Sequence, residues 1–225
     1  MTIHRPAWSV LLPGGPSGAG KSEAAAIGRR LGVSWLQVDD LRLALQQSGA
    51  VLPRGTAELR IFLDTPRLWR LPPERLRDAL IGVGAAVGPA IEIVVANHVD
   101  TDAPVVMERD GILPSLLDRP PVRERMEAMR VRAAFLVEPD EAVLYANMVA
   151  RERGIADRSA ASLRTEARAN WLFGRWLEGE ARRSVPVLEP RPWETLPDRL
   201  LAPDGARGGV ADRAGSPSGF GARPR

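Results

Sequence analysis

Gly15-Pro16-Ser17-Gly18-Ala19-Gly20-Lys21-Ser22 is a complete G-x-x-x-x-G-K-[ST] octet, and its surroundings decide the fold. The apolar run from Trp8 to Leu12 precedes it, and a helix-forming run, Glu23-Ala24-Ala25-Ala26, follows it. A strand that turns through glycines into a helix is the opening unit of a parallel α/β sheet. The glycines let the backbone bend so that successive N–H groups converge at the positive end of that helix, which suits a phosphate. In such a loop Lys21 bridges the β- and γ-phosphates of a nucleotide, and the Ser22 hydroxyl holds Mg²⁺. Gly15, Pro16, Ser17, Gly18, Ala19, Gly20, Lys21 and Ser22 are therefore the expected nucleotide-binding residues. The competing reading is a glycine-rich turn carrying an exposed lysine.

Composition argues against that competitor. Of the 31 basic residues, 30 are arginine and one is lysine, and the one lysine is Lys21. A chain that has exchanged lysine for arginine everywhere else keeps a compact ammonium where a planar guanidinium cannot replace it. The 225 residues, 44% hydrophobic and 26% charged, suit one sizeable core. There is no cysteine, and the histidines are His4 and His98, so thiolate sites, cysteine nucleophiles and histidine-rich zinc sites are excluded. Net charge is +3, of which the four arginines and two aspartates of residues 203–225 supply +2, so a basic footprint for nucleic acid is not expected. No apolar run approaches the roughly 20 residues of a membrane span, and Trp8–Leu12 is too short for a signal peptide. The expectation is a cytoplasmic enzyme or binding protein.

Further along, apolar runs alternate with helical stretches. Strands are expected at Trp8–Leu12, Trp35–Val38, Pro104–Met107, Ala133–Val137 and Val185–Leu188. Helices are expected over 20–31, 41–47, 73–87, 89–99, 139–153 and 160–183, with a break at Gly88-Pro89. Trp171 and Trp176, on the last of these, read as core residues. From residue 203 onward the composition predicts a disordered tail. The fold class is thus a P-loop α/β/α sandwich around a five-stranded parallel sheet.

Ligands of such sheets sit beyond the carboxyl ends of the strands. Asp39 and Asp40 follow the second strand, and Glu108 and Asp110 follow the third, so all four can face the phosphate loop. Phosphoryl transfer needs carboxylates there to orient or deprotonate a hydroxyl and to hold Mg²⁺. Asp39 is expected at the strand edge as base and substrate contact, and Asp40 as the N-cap of the next helix. Glu108 and Asp110 are the metal candidates with Ser22, although either can cap the turn before Pro114. Arg42 is placed to grip a substrate anion or to lie on a solvated helix face. His98 reads as structural.

GGPSGAGKS after the first strand, WLQVDDLR after the second, a hydrophobic strand ending in acids and an arginine-bearing segment before the last helix resemble the small-molecule P-loop kinases. That adenylate-kinase-like group includes shikimate, gluconate, nucleoside and antibiotic kinases. More narrowly, residues 105–114 (VVMERDGILP) look like the EGxxLxP segment of 2-phosphoglycerate-kinase-like proteins, with Arg109 where a small residue is expected. The resemblance, over about residues 8–201, implies ATP and Mg²⁺ as cofactors and a small-molecule acceptor as partner. It also implies a lid over 151–160, whose Arg151, Arg153 and Arg158 would neutralise the transferred phosphoryl group. After the fifth strand, Arg191 falls where such kinases wrap adenine, with Trp193 as a core anchor. The helical stretch over 56–99 is the expected acceptor region. Arg54 just before it and Arg60, Arg67 and Arg70 within it could recognise an acid or phosphate, or lie in solvent. Two alternatives stand beside this reading: a regulatory ATPase without an acceptor, and a P-loop protein that binds nucleotide without chemistry. Acceptor identity and oligomeric state are not legible.

Overall fold

The computed structural model describes residues 6–49, 51–151, 158–181 and 185–202, without the side chains of Ser22, Ala24 and Ala25. The expected tail over 203–225, Arg153 and most of the expected lid lie outside the described residues. β1 (Val10–Gly14) is buried at every position, as a strand covered on both faces must be. It pairs in parallel with β3 (Val105–Glu108) on one side and β4 (Val131–Leu136) on the other. β2 (Ser34–Gln37) adds outside β3, and the two-residue β5 (Val187–Leu188) outside β4, giving the order β2-β3-β1-β4-β5 with every pairing parallel.

Side chains alternate across the sheet, so each strand feeds two cores. Val10, Leu12, Val105, Met107 and Phe135 point to one face, against α4 (Pro73–Asp100) and α8 (Ala160–Ala181). Leu11, Val106, Ala134 and Leu136 point to the other, against α1 (Ala24–Leu31), α7 (Glu141–Ala150) and α9 (Leu196–Leu201). Trp176 stacks on Phe173 with ring centroids 5.9 Å apart, and Trp171 donates its indole N–H to the Pro139 carbonyl, so both serve packing. His98 Nδ1 lies 2.7 Å from the Ala103 carbonyl at the end of α4, a local structural contact.

The structure corrects several boundaries. β2 ends at Gln37, and α2 (Val38–Gln47) begins at Val38, whose side chain is buried in the core. Asp39 and Asp40 therefore lie in the first helical turn, where carboxylates favour the helix dipole. Gln37 holds the N-cap position, so Asp40 is not the cap. The two helices expected on either side of Pro89 are one 28-residue helix, α4. Pro89 itself is exposed. Leu76, Val83, Val87, Ile91 and Val95 form one buried stripe that continues past it, and packing of that stripe holds both halves in line. Merged in this way, α4 has an 18-residue window of mean hydropathy 2.0 and is long and apolar enough to cross a membrane, contrary to the expectation from the sequence. Here its apolar face packs on the sheet, α3 (Thr56–Asp64) and α8. Between β3 and β4 stand α5 (Pro114–Leu117) and α6 (Pro120–Glu127), each opened by a proline whose missing donor costs nothing there.

The connection from β1 runs to β2 on one side of it and that from β3 crosses to β4 on the other, and the crevice between the carboxyl ends of β1, β3 and β4 is where a doubly wound sheet binds ligand. Pro89→Ala restores a backbone donor inside α4 and removes the ring's clash with the preceding turn. We expect it to raise the unfolding free energy by about 2 kcal/mol, the interior penalty of about 3 less the roughly 1 that proline's restriction of the unfolded chain contributes. Urea denaturation measures this, and an unchanged or lower midpoint contradicts the account.

Candidate active site

β1 ends at Gly14, and the loop that follows turns at Gly15, Gly18 and Gly20, all with positive φ. At Gly20 the requirement is double. Its φ is 72°, and a Cβ there would stand 1.6 Å from the indole ring of Trp193. The Gly14 backbone also bridges to Arg109, so the phosphate loop and the residue after β3 are tied at their roots. Two asparagines brace the loop from outside. Asn170 of α8 accepts from the Ser17 N–H at 2.8 Å, and Asn147 of α7 donates to the Gly18 carbonyl at 3.1 Å.

A cavity of about 490 Å³ opens over the loop, lined by Ser17, Gly18, Gly20, Lys21, Glu108, Asn147, Arg151 and Trp193 among others. Lys21 is buried and donates from Nζ to the Pro16 carbonyl at 2.6 Å, so its ammonium lies inside the loop's curl. Arg151, at the end of α7, donates to Ser17 Oγ at 2.8 Å. Trp193 lies on the phosphate loop and lines the cavity while its other side joins the core under α9. The sequence had suggested Arg191 for the base; Arg191 is exposed, 3.4 Å from Asn147 Oδ1 and stacked behind Trp193 at 5.9 Å. Trp193, expected as a core anchor, packs on the core and also walls the cavity, whereas the two asparagines were missed because they reach the loop from distant helices and no spacing along the chain announces that.

A second cavity of about 290 Å³ adjoins the first, and Ser17 and Arg109 line both. Asp39, Arg42 and Asp110 line its polar end, while Asp40 is exposed and turned away. Asp39 is held from two sides: Oδ1 accepts from Arg42 Nε at 3.2 Å, and Oδ2 is ion-paired with the Arg109 guanidinium. Arg42 also donates to Gln46, and the buried Gln46 donates to the Leu59 carbonyl at 2.6 Å, so Arg42 is fixed in place. Arg158 pairs with Glu166 and lies over the Trp69 ring at 4.2 Å, at the edge of this second cavity. Arg54, Arg67 and Arg70 are exposed, Arg60 is bound to Asp64, and none of the four lines either of these two cavities.

Burial lowers the Lys21 pKa to about 8, with Asp110 and Glu108 opposing the shift and Arg109 and Arg151 adding to it. Burial likewise raises the Glu108 pKa; Lys21 and Arg109 pull it down, while Asp110 and Asp39 push it up. For Arg109, burial works against the charge, but Asp110, Asp39 and Glu108 outweigh it and hold the guanidinium firmly protonated. The described residues contain no group of three or more acidic, histidine or cysteine side chains that would cage a metal. Mg²⁺ needs none, because it keeps waters and phosphate oxygens and asks the protein for one or two oxygen ligands. The buried Glu108 carboxylate facing the cavity fits that demand.

No family model matches the chain, and no curated protein matches it. Solved structures similar to it include shikimate kinase from Acinetobacter baumannii in complex with shikimate, at 12% identity over 87% of this chain and 89% of that one, with a TM-score of 0.46. A gluconokinase from Sinorhizobium meliloti 1021 is 18% identical over 88% and 91%, with a TM-score of 0.44. Shikimate kinase from Aquifex aeolicus vf5 is 15% identical over 85% and 94%, also at 0.44. The narrower likeness of residues 105–114 to 2-phosphoglycerate-kinase-like proteins has no counterpart among these three.

The lowered Lys21 pKa has a consequence for stability. The unfolded chain keeps that proton up to the ordinary value of 10.5, whereas the folded chain releases it near 8. Folding is therefore penalised below about pH 8, and the penalty is relieved as pH rises toward 10. Wild-type stability relative to Lys21→Met should be flat below pH 7 and then climb with a slope approaching about 1.4 kcal/mol per pH unit. Urea titrations of the two proteins from pH 6.5 to 10 test this, and a constant difference refutes it.

Proposed function

We propose that this chain is an ATP-dependent phosphotransferase that moves the γ-phosphoryl group to a hydroxyl of a small molecule. The observation that carries this is the meeting of two cavities at Ser17 and Arg109, one built on a complete phosphate loop, the other ending in a carboxylate. A hydrolase needs one cavity and a water; a transferase needs a second compartment for its acceptor.

In this reading the loop amides and Lys21 take the phosphates, and Lys21 gives up its bond to the Pro16 carbonyl to do so. Trp193 supplies a flat apolar surface to the nucleotide. Mg²⁺, held through Ser22 and Glu108, would offset phosphate charge. Asp39 orients the acceptor hydroxyl and receives its proton as the oxygen attacks the γ-phosphorus. The bond from that phosphorus to the β–γ bridging oxygen breaks, ADP leaves, and the proton passes from Asp39 to solvent. Arg109 is the hinge of the charge balance. It lies between the cavities, and a phosphoryl group arriving from the first draws its guanidinium off Asp39 Oδ2, leaving that oxygen free for the hydroxyl. Arg151, bonded to Ser17 Oγ where the cavities meet, supplies a second cation for the transferring group.

The test is a set of variants assayed for ADP release with and without acceptors, alongside direct ATP binding. Lys21→Ala should nearly abolish turnover with the fold intact. Asp39→Asn should cut acceptor phosphorylation by roughly 10²–10⁴-fold with ATP affinity unchanged, while Asp40→Asn should retain the rate. Acceptor-independent ADP release unaffected by Asp39→Asn would make the protein an ATPase, and ATP binding without any turnover would make it a nucleotide-binding protein in which Arg109 keeps Asp39 masked.

A further inference from the structure

We propose that the second cavity takes a neutral, hydroxyl-bearing molecule with an apolar body, in preference to a polyhydroxy acid or a phosphorylated acid. This names the acceptor class and rests on the phosphotransfer reading.

The wall of that cavity is supplied by Phe62 of α3, by Trp69, and by Leu76, Leu80, Val83 and Val87 along one face of α4. None of these six offers a side-chain oxygen, the Trp69 indole N–H is their one side-chain donor, and the backbone donors and acceptors of the four α4 residues are engaged within that helix and its first turn. A polyol pressed against such a wall would lose most of its hydrogen bonds to water without regaining them, a cost incurred for each buried hydroxyl. An apolar ring or chain gains the same area as burial. Trp69 is held as a fixed part of the wall, with Phe62 tilted against it at 6.4 Å and the Arg158 guanidinium over its face.

Charge points the same way. The two guanidiniums lining the cavity, Arg42 and Arg109, both engage Asp39. Asp110 and Glu166 add two further carboxylates to the lining, one of them offset by the neighbouring Arg158. The cavity thus holds no surplus of positive charge for a carboxylate or phosphate on the acceptor. Of its three carboxylates, Asp39 is the one paired with Arg109 where the two cavities meet, which is the place for a single hydroxyl. A volume of about 290 Å³ holds about ten to fifteen non-hydrogen atoms.

The test uses the full chain with MgATP and matched probes: 2-(2-naphthyl)ethanol and cyclohexylmethanol against gluconate, shikimate and glycerate. Product phosphate esters are read by mass spectrometry, and acceptor binding is read separately by calorimetry. The expected result is a kcat/KM for the apolar alcohols at least about a hundredfold above that for the acids. Phe62→Ala should lower it about tenfold, mainly through KM, as removal of apolar contact does in a pocket; a thermal melt checks its fold. Leu80→Ala is the second variant, with the same expectation. Preferential phosphorylation of the acids overturns the proposal while the phosphotransferase reading stands. Binding of the apolar alcohols that is weakened by Phe62→Ala and Leu80→Ala, with no transfer to any probe, supports the cavity's chemistry and overturns the phosphotransferase reading. No binding of either probe class overturns the proposal.

Discussion

A strand buried on both faces in the middle of a parallel sheet can leave only at its end, and β1 leaves through glycines. Much of the site follows from that constraint. Because β3 and β4 flank β1 in register, Glu108 and the start of the phosphate loop come out of the sheet at one level. Gln37 pairs with Glu108 in the same way, and the first turn of α2 then delivers Asp39 to the same edge. Three short segments, far apart in sequence, thus open onto one crevice without any of them being long enough to specify it.

Within the crevice, electrostatics is closely balanced. Lys21, Arg109, Arg42 and Arg151 face Asp39, Glu108 and Asp110, with Lys21 and Glu108 almost wholly buried. Burial disfavours each charge separately, and the opposing neighbours restore part of what burial removes. Such an arrangement responds strongly to one more polyanion: four negative charges on a nucleotide would favour the protonated lysine and compete with Asp39 for Arg109. Arg109 is thereby more than an intrusion at a position where a small residue was expected. Its backbone is fixed to Gly14 and its guanidinium spans the boundary between the two cavities.

The second cavity is built differently. α4 runs unbroken past Pro89 because its buried stripe continues on both sides, and its N-terminal half presents Leu76, Leu80, Val83 and Val87 to that cavity. The same helix serves as a core element and as a cavity wall. That dual use explains why its composition alone resembles a membrane span.

The phosphate loop was legible in the sequence because its chemistry is local. Eight consecutive residues supply the glycines, the lysine and the hydroxyl, and the apolar run before them and the alanines after them set the strand and the helix. The parallel five-stranded sheet was legible for a similar reason, since continuous apolar runs spaced by helices admit few other arrangements. Boundaries were less so: Val38 reads as a strand residue by composition, yet it opens α2 with its side chain buried in the core. Pro89 reads as a break, and only the packing of α4 carries the helix past it. Asn147 and Asn170 carry no signal at all in sequence, because each acts through a partner 129 or 153 residues away in the chain; Trp193, expected as a core anchor, meets Gly20 from 173 residues away, and all three pairings exist only once the chain has closed over the loop. Local backbone chemistry is written in order along the chain; the walls of a cavity are a property of packing.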